Sequence, residues 1–166
     1  MSIRPATFSD IPAIMTLLKG GFARSHYADS PHGAGIDEAE AKRLLFQSIQ
    51  RHGHKRGGAT WVQVAETDGV VSGLILGTLA RVYSIGTHLM ATDLFWLTHP
   101  MSNPRDAGNL MRSFIEWAKS CPHVIEIHCG TTAIINEDPA EAGKVLERLG
   151  MGHYGNLYRM ELEATP

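Results

Sequence analysis

The sequence has few cysteines, no long apolar run and no excess of charge of either sign. Its 166 residues include only Cys121 and Cys129, too few for the disulfide framework of a small secreted domain. No apolar run reaches the roughly 18 residues that a membrane-spanning helix needs. The segment from Met1 to Asp10 lacks the apolar core of a signal peptide. We therefore expect a cytoplasmic protein with two free thiols and no membrane partner.

The charge balance argues against a nucleic-acid partner. Fifteen Lys and Arg residues against 17 Asp and Glu residues give a formal net charge of -2, whereas a nucleic-acid binder usually carries a basic stripe. The basic stretch from Arg51 to Gly58 is interpreted as a solvated loop. His52 and His54 suggest a metal site as an alternative, but no carboxylate or cysteine stands beside them in a known ligand pattern. We expect no metal.

The spacing of apolar residues predicts a single domain over residues 1–166 with elements in the order βααβββαβαββ. The dipeptide Asp68-Gly69 predicts a hairpin between two strands. A helix lies between the predicted strands His88–Thr98 and Val124–Cys129, which places those two strands parallel. A last strand pair is predicted over Met151–Tyr154 and Leu157–Leu162. The fold class is therefore α/β (α+β), with helices on both faces of one mixed sheet.

Three segments, in the right order, resemble the GCN5-related N-acetyltransferase (GNAT) superfamily. The first is Ile3-Arg4-Pro5-Ala6-Thr7-Phe8-Ser9-Asp10-Ile11, which matches the family's usual first strand and helix entry. The second is Thr98-His99-Pro100 followed by Arg105-Asp106-Ala107-Gly108-Asn109-Leu110, which resembles the family's (Q/R)xxGx(G/A) loop. The third is Leu146-Glu147-Arg148-Leu149-Gly150-Met151, which resembles a closing "YEKLGF". The resemblance implies a mostly antiparallel sheet with a central, splayed parallel strand pair.

The resemblance also implies acetyl-CoA as co-substrate, with its pyrophosphate at a helix start. A helix N-terminus presents unpaired N–H groups and a partial positive charge that suit an anion. Gly108 has no side chain to obstruct a phosphate, and Arg105 adds a charged donor. Leu110 departs from the Gly or Ala of the motif. The predicted coenzyme-binding residues are Leu97, Thr98, Arg105, Asp106, Ala107, Gly108, Asn109 and Leu110.

Direct transfer of the acetyl group to a primary amine, in a ternary complex, is the reaction that the resemblance implies. The amine must lose a proton, and the candidate bases are Asp93 and then His99. Many relatives have a Tyr at the position of Leu146 that protonates the departing thiolate, which leucine cannot do. Tyr154 and Tyr158 are the candidate acids downstream.

The leucine at position 146 keeps an alternative open, in which the chain is a non-catalytic acyl-CoA-binding sensor or interaction protein. The acceptor is expected to be a small-molecule or peptide amine, which the sequence does not identify. Because many relatives dimerise through their terminal strands, a homodimer is a further expectation from the resemblance.

Overall fold

A computed structural model describes residues 2–131 and 139–162 of the chain. The described helices are α1 (Ile11–Ala23), α2 (Glu38–Gln50), α3 (Pro104–Ser120) and α4 (Ala140–Arg148). The described strands are β1 (Ser2–Pro5), β2 (Thr60–Thr67), β3 (Val70–Arg81), β4 (Leu89–Thr98) and β5 (Val124–His128). Within these ranges, none of the helices has the length and apolar character needed to cross a membrane.

The five strands form one sheet in the order β1-β2-β3-β4-β5. The first three pairings are antiparallel. The β4–β5 pairing is parallel, as expected from the helix that connects the two strands. The predicted mixed, mostly antiparallel sheet is confirmed, but the parallel pair lies at the edge of the described sheet rather than at its centre.

Local sequence signals fix several of these boundaries. Asp68 and Gly69 have φ of 52° and 80°, the left-handed values that a two-residue hairpin requires between β2 and β3. The carboxylate of Asp37 accepts a hydrogen bond of 3.0 Å from the N–H of Glu40 and caps α2. Gly150, with φ of 87°, ends α4. The sequence Asp138-Pro139 with Glu141 predicts that Asp138 caps α4, but this residue lies outside the described ones.

Helices cover both faces of the sheet and enclose two cores. On one face α1 and α2 pack on β2 and β3, with Ile14, Leu45 and Leu74 fully buried among them. On the other face α3 packs on the same strands, with Phe114 and Ile75 fully buried. The alternating residues of β3 contribute to both cores, because successive side chains of a strand point to opposite faces.

The predicted strand pair at the end of the chain is wrong. Residues 151–162 form no strand, and Leu157, Tyr158, Met160 and Leu162 are exposed. Alternating apolar residues favour an extended chain, but a strand also needs a neighbouring edge to satisfy its backbone groups. Within the described part of the chain, residues 151–162 pair with no such edge.

Candidate functional site

A β-bulge at Leu94 divides β4 into two halves. Odd-numbered residues of β4 face the core beneath α3 before the bulge and the core beneath α1 and α2 after it. Asp93 pairs with Gly77 and Phe95 pairs with Leu76, so Leu94 has no partner on β3. Before the bulge, Ala91 packs into the core beneath α3. After it, Phe95 packs against the core of α1 and α2, and Trp96 packs on the α3 side.

The ladder between β4 and β5 ends just before this bulge. Its last pair is Thr92 with His128, whereas β4 continues to Thr98. The β5-facing edge of β4 from Asp93 to Thr98 therefore has no strand partner among the described residues. We call this end of the ladder the strand fork.

The carboxylate of Asp93 lies at the strand fork and is held by the first residues after β5. It accepts a hydrogen bond of 3.2 Å from the N–H of Gly130, and it lies close to the thiol of Cys129. Burial raises the pKa of Asp93 above its usual value, against the opposing effect of the Gly130 hydrogen bond. Burial, followed by the nearby carboxylate of Asp93, also raises the pKa of Cys129 to about 12, so this thiol is protonated at neutral pH.

The face of the sheet on which Asp93 lies follows from its neighbours. Cys129 contacts the sulfur of Met111 on α3 at 3.5 Å, and Ala91, two residues before Asp93, packs beneath the same helix. Asp93 therefore approaches the strand fork from the α3 side.

The N-terminus of α3 lies beside the half of β4 that pairs with β3 but not with β5. The indole N–H of Trp96 donates a hydrogen bond of 3.0 Å to the carbonyl oxygen of Ala107 and ties the two elements together. Arg105 is exposed at this terminus, and Asp106 is fully buried. This helix start is thus open to solvent on one side and packed on the sheet on the other.

Asn103 caps α3 and already binds two of its first N–H groups. Its side-chain oxygen accepts from the N–H of Arg105 at 2.9 Å, and its carbonyl oxygen accepts from the N–H of Asp106 at 2.9 Å. Pro104 has no N–H to offer. The N–H groups of Arg105 and Asp106 are therefore already bound by the cap residue at this helix start.

The other predicted coenzyme-binding residues differ in their burial and in their distance along the chain from the start of α3. Gly108, Asn109 and Leu110 lie beyond the first turn, and the side chain of Leu110 is fully buried in the core. At Gly108 an added Cβ would meet only Val145, at 3.9 Å, so space is open there. Leu97 and Thr98 lie in the part of β4 that extends beyond the end of the ladder with β5.

Tyr154 lies beside the strand fork, whereas Tyr158 and His99 do not contact it. The ring of Tyr154 packs on His128, the last paired residue of β5, with ring centroids 5.1 Å apart. The neighbouring phenol of Tyr83 and, to a smaller extent, the negative charge of Glu126 raise the pKa of Tyr154. His99 is exposed, and its Nδ1 accepts a hydrogen bond of 3.1 Å from the N–H of Met101. Tyr158 is 91% exposed.

Two other residues that the sequence singled out have packing roles. Leu146 is buried in the core beneath α3. The Nδ1 of His52 accepts a hydrogen bond of 2.9 Å from the N–H of Val62, and its ring stacks on Trp61. In residues 2–131 and 139–162 no group of three or more His, Cys, Asp or Glu side chains is arranged to hold a metal ion.

Sequence reasoning missed Asn103 and Leu94. Asn followed by Pro is a recognisable helix start, because Asn caps well and Pro suits the first helical position. That signal places the start of α3 at Pro104, as observed. The bulge at Leu94 has no comparable signal in β4, since it depends on the register that β3 imposes.

Similar solved structures share this architecture over almost their whole length. A ribosomal-protein-alanine N-acetyltransferase from Brucella melitensis is 19% identical, with a TM-score of 0.68, covering 93% of this chain and 86% of that one. An aminoglycoside 6'-N-acetyltransferase from Acinetobacter haemolyticus is 16% identical, with a TM-score of 0.64, covering 99% and 100%. This is the fold of the GCN5-related N-acetyltransferases.

The GNAT fold also occurs in a similar structure with another name. A transcriptional regulator from Bacillus halodurans is 18% identical, with a TM-score of 0.66, covering 97% of this chain and 99% of that one. No family model matches the sequence, and no curated protein matches it either. At these identities the likeness establishes the fold, and the chemistry has to be argued from the residues.

Proposed function

We propose that the chain is an N-acetyltransferase that moves an acetyl group from acetyl-CoA to a primary amine by direct attack in a ternary complex. The observation that carries the proposal is the strand fork beside the exposed start of α3. The unpaired edge of β4 offers backbone groups to an extended ligand that contains amides. The guanidinium of Arg105 at the helix start offers charged donors to a diphosphate, and the helix dipole adds a partial positive charge there.

Asp93 and Tyr154, two candidate groups for proton transfer, approach the strand fork from opposite faces. The amine nitrogen forms a bond to the thioester carbonyl carbon, the carbon–sulfur bond breaks, and the amine proton passes to a base. Asp93, on the α3 side, is the first candidate base, and His99 the second. Tyr154 packs on His128, whose side chain points away from that of Cys129 because adjacent strand residues alternate. A phenol with a raised pKa stays protonated, which is the form that can donate to the departing thiolate.

A non-catalytic acyl-CoA-binding protein is the alternative, and Leu146 favours it. This side chain packs in the core and carries no proton to donate. In that case the strand fork and the start of α3 would still hold the coenzyme, and binding would have no chemical consequence. The similar fold of a transcriptional regulator fits the same alternative.

The acceptor, the assembly and the cellular location stay proposals. We propose a small-molecule or peptide amine as acceptor, a cytoplasmic location, and no nucleic-acid partner. A homodimer is proposed because Leu157, Met160 and other apolar side chains near the end of the chain are exposed. Sedimentation of the purified protein measures the mass directly, and a monomer at all concentrations tested contradicts the homodimer.

A thiol-release assay tests the proposed reaction. The protein is incubated with acetyl-CoA and a panel of peptide, polyamine and small-molecule amines, and free CoA is followed with a thiol reagent. We expect acetyl-CoA to raise the melting temperature and at least one amine to accelerate thiol release. A melting shift without turnover on a broad panel favours the binding protein, and the absence of any shift at millimolar coenzyme contradicts both functions.

A matched pair of arginine variants tests the placement of the coenzyme. Arg105 stands at the start of α3, whereas Arg112 lies two turns along the same helix and binds Asn109. We expect Arg105→Gln to raise the KM for acetyl-CoA several-fold with kcat almost unchanged. Arg112→Gln should leave both constants near those of the original protein. Equal effects of the two changes would argue for a general electrostatic role of α3.

A further inference from the structure

An open cavity of about 460 Å³ lies between β2, the C-terminal half of α3 and the loop that follows α2. This volume is in the range of small-molecule sites. Trp61 and Gln63 line it from the face of β2 that points to α3. The helix lines it with residues spaced by three, four and seven positions, which share one face: Ser113, Glu116, Trp117 and Ser120.

Two indole rings form a wall of this cavity that the protein holds in place. The rings of Trp61 and Trp117 stack with centroids 5.4 Å apart, and His52 stacks on Trp61 at 4.5 Å. The indole N–H of Trp61 donates a hydrogen bond of 3.1 Å to the hydroxyl of Ser113. The indole N–H of Trp117 donates one of 3.3 Å to the carbonyl oxygen of His54. The wall is therefore formed before a ligand binds, and it offers mainly apolar contact.

Gln63 has a buried amide that the protein leaves unsatisfied. The residue is only 8% exposed, yet its amide makes no hydrogen bond within residues 2–131 and 139–162. Neither amide atom is completely enclosed, so both are accessible from the cavity that Gln63 lines. The hydroxyl of Ser120, by contrast, donates a hydrogen bond of 2.8 Å to the carbonyl oxygen of Trp117. A buried amide without a partner costs free energy, which a ligand that bonds to it would recover.

Lys55 and Glu116 place opposite charges at the exposed rim of the cavity. Neither side chain forms an ion pair, with the other or with any residue in the part of the chain that the structure describes. A ligand with a single charge would be attracted by one of them and repelled by the other, whereas a zwitterion matches both. The amide of Gln63 suits either end, because its oxygen accepts from an ammonium group and its nitrogen donates to a carboxylate.

We propose that this cavity binds a small zwitterion with an apolar side chain, of the α-amino acid class. The carboxylate of the ligand lies near Lys55, its ammonium group near Glu116, and its side chain packs on the indole wall, while Gln63 hydrogen-bonds to the charged groups. The site goes beyond the proposed acetyl transfer, because Glu116 lies roughly 16 Å along α3 from Arg105 at 1.5 Å per residue. Binding in this cavity should therefore not compete with the coenzyme.

Four probes, titrated into the full chain by calorimetry, test the proposal. L-phenylalanine and L-leucine carry both charges, phenethylamine lacks the carboxylate, and 3-phenylpropanoate lacks the ammonium group. We expect at least one of the two amino acids to bind, and both analogues to bind at least tenfold more weakly than L-phenylalanine if that is the tighter ligand. Since two indoles line the cavity, binding should also change the tryptophan fluorescence, and Trp96→Phe should keep that change. Saturating coenzyme A should leave the affinity unaltered.

Three variants test the residues that are proposed to hold the ligand. Gln63→Leu keeps a side chain of similar volume and removes the amide, so we expect at least tenfold weaker binding with the melting temperature retained. Lys55→Gln and Glu116→Gln change exposed side chains that the fold does not need, and each should weaken binding at least threefold. These two variants keep the proposal testable even if Gln63→Leu fails to fold.

Lys119→Gln and Glu147→Gln are the matched controls. Each removes the same kind of charge from an exposed position on α3 or α4 that does not line the cavity. Both should bind the amino acid as the original protein does. Equal weakening by a control and its counterpart at the rim would indicate a general effect of net charge and overturn the proposal.

Two further results would also overturn it. One is the absence of a calorimetric or fluorescence signal with either amino acid at tens of millimolar. The other is binding of 3-phenylpropanoate or phenethylamine as tightly as L-phenylalanine, which would show that the cavity does not recognise both charges. Competition between L-phenylalanine and coenzyme A would place the amino acid at the strand fork and would contradict a separate site. None of these results bears on whether the chain transfers acetyl groups.

Discussion

The N–H of Gly130 donates a hydrogen bond to the carboxylate of Asp93 at the point where β4 and β5 stop pairing. In a continued ladder, the N–H groups after His128 would bond to carbonyl oxygens of β4. Here a side chain accepts one of them instead, so the two strands can separate without leaving that donor unsatisfied. Asp93 therefore has a structural role at the strand fork whether or not it also acts as a base.

Asp93→Asn tests whether this carboxylate is the base. We expect kcat to fall by about 100-fold, a typical loss for a general base, with the melting temperature at pH 7 retained. Asparagine keeps an oxygen for Gly130, and burial disfavours the ionised carboxylate in the folded protein. Because the base must be ionised, activity of the original protein should fall as pH drops through the pKa of Asp93, which lies above 3.8.

His99→Gln is the comparison for that experiment. His99 is exposed, and its ring accepts a hydrogen bond from the backbone of its own loop, so we expect a change of less than threefold in kcat. A large loss of kcat in His99→Gln, together with a small loss in Asp93→Asn, would indicate that His99 is the general base.

Gly77→Ala should destabilise the protein. A Cβ at Gly77 would stand 2.1 Å from Cε2 of Phe114, whose ring is fully buried. We expect the free energy of unfolding to fall by about 1–3 kcal/mol, as for other overpacked cores, measured by urea denaturation. Gly73→Ala is the graded control, since its closest contacts are at 3.0 Å; a larger loss there than at Gly77 would contradict the packing described.

Gly108→Ala separates stability from coenzyme binding. The added methyl meets no close neighbour, and alanine is favoured over glycine in a helix by about 0.5–1 kcal/mol. We expect a slightly higher melting temperature and at least fivefold weaker binding of coenzyme A, because the methyl obstructs a phosphate. Gly143→Ala in α4, also without close neighbours, should gain stability and bind normally. Normal binding of coenzyme A by Gly108→Ala would show that the phosphate does not bind beside Gly108.

Asp10→Asn should destabilise the protein in a pH-dependent way. The guanidinium of Arg4 makes two 2.8 Å hydrogen bonds to Asp10 and holds the pKa of this carboxyl well below its usual range. A depressed pKa stabilises the folded state above about pH 4, and this stabilisation is lost as pH falls further. We expect the variant to lose about 1–3 kcal/mol at pH 7 and much less at pH 2, by chemical denaturation. An equal loss at both pH values would show that the charge of Asp10 is irrelevant.

Local signals predicted the parts of the fold that depend on neighbours in sequence. Asp68-Gly69 and the Asp37 cap were predictable because each residue satisfies a backbone requirement within four positions. The face of the sheet on which the side chain of Asp93 lies could not be predicted from the sequence, because it depends on how β4 aligns with β3. The prediction of a strand pair over residues 151–162 was wrong for a related reason. Alternating apolar and polar residues indicate an extended chain, but they do not show whether a neighbouring strand is present to pair with it.

Leu94 determines which of the two cores receives each aromatic ring of β4. If β4 were aligned without its extra residue, Phe95 would be driven under α3 and Trp96 under α1, and both rings would meet packing of the wrong shape. The half of β4 after Leu94 therefore cannot shift by one residue along β3 without disrupting the packing of both cores. The strand fork is thus bordered, on its β4 side, by a strand whose alignment is fixed by the packing of both cores.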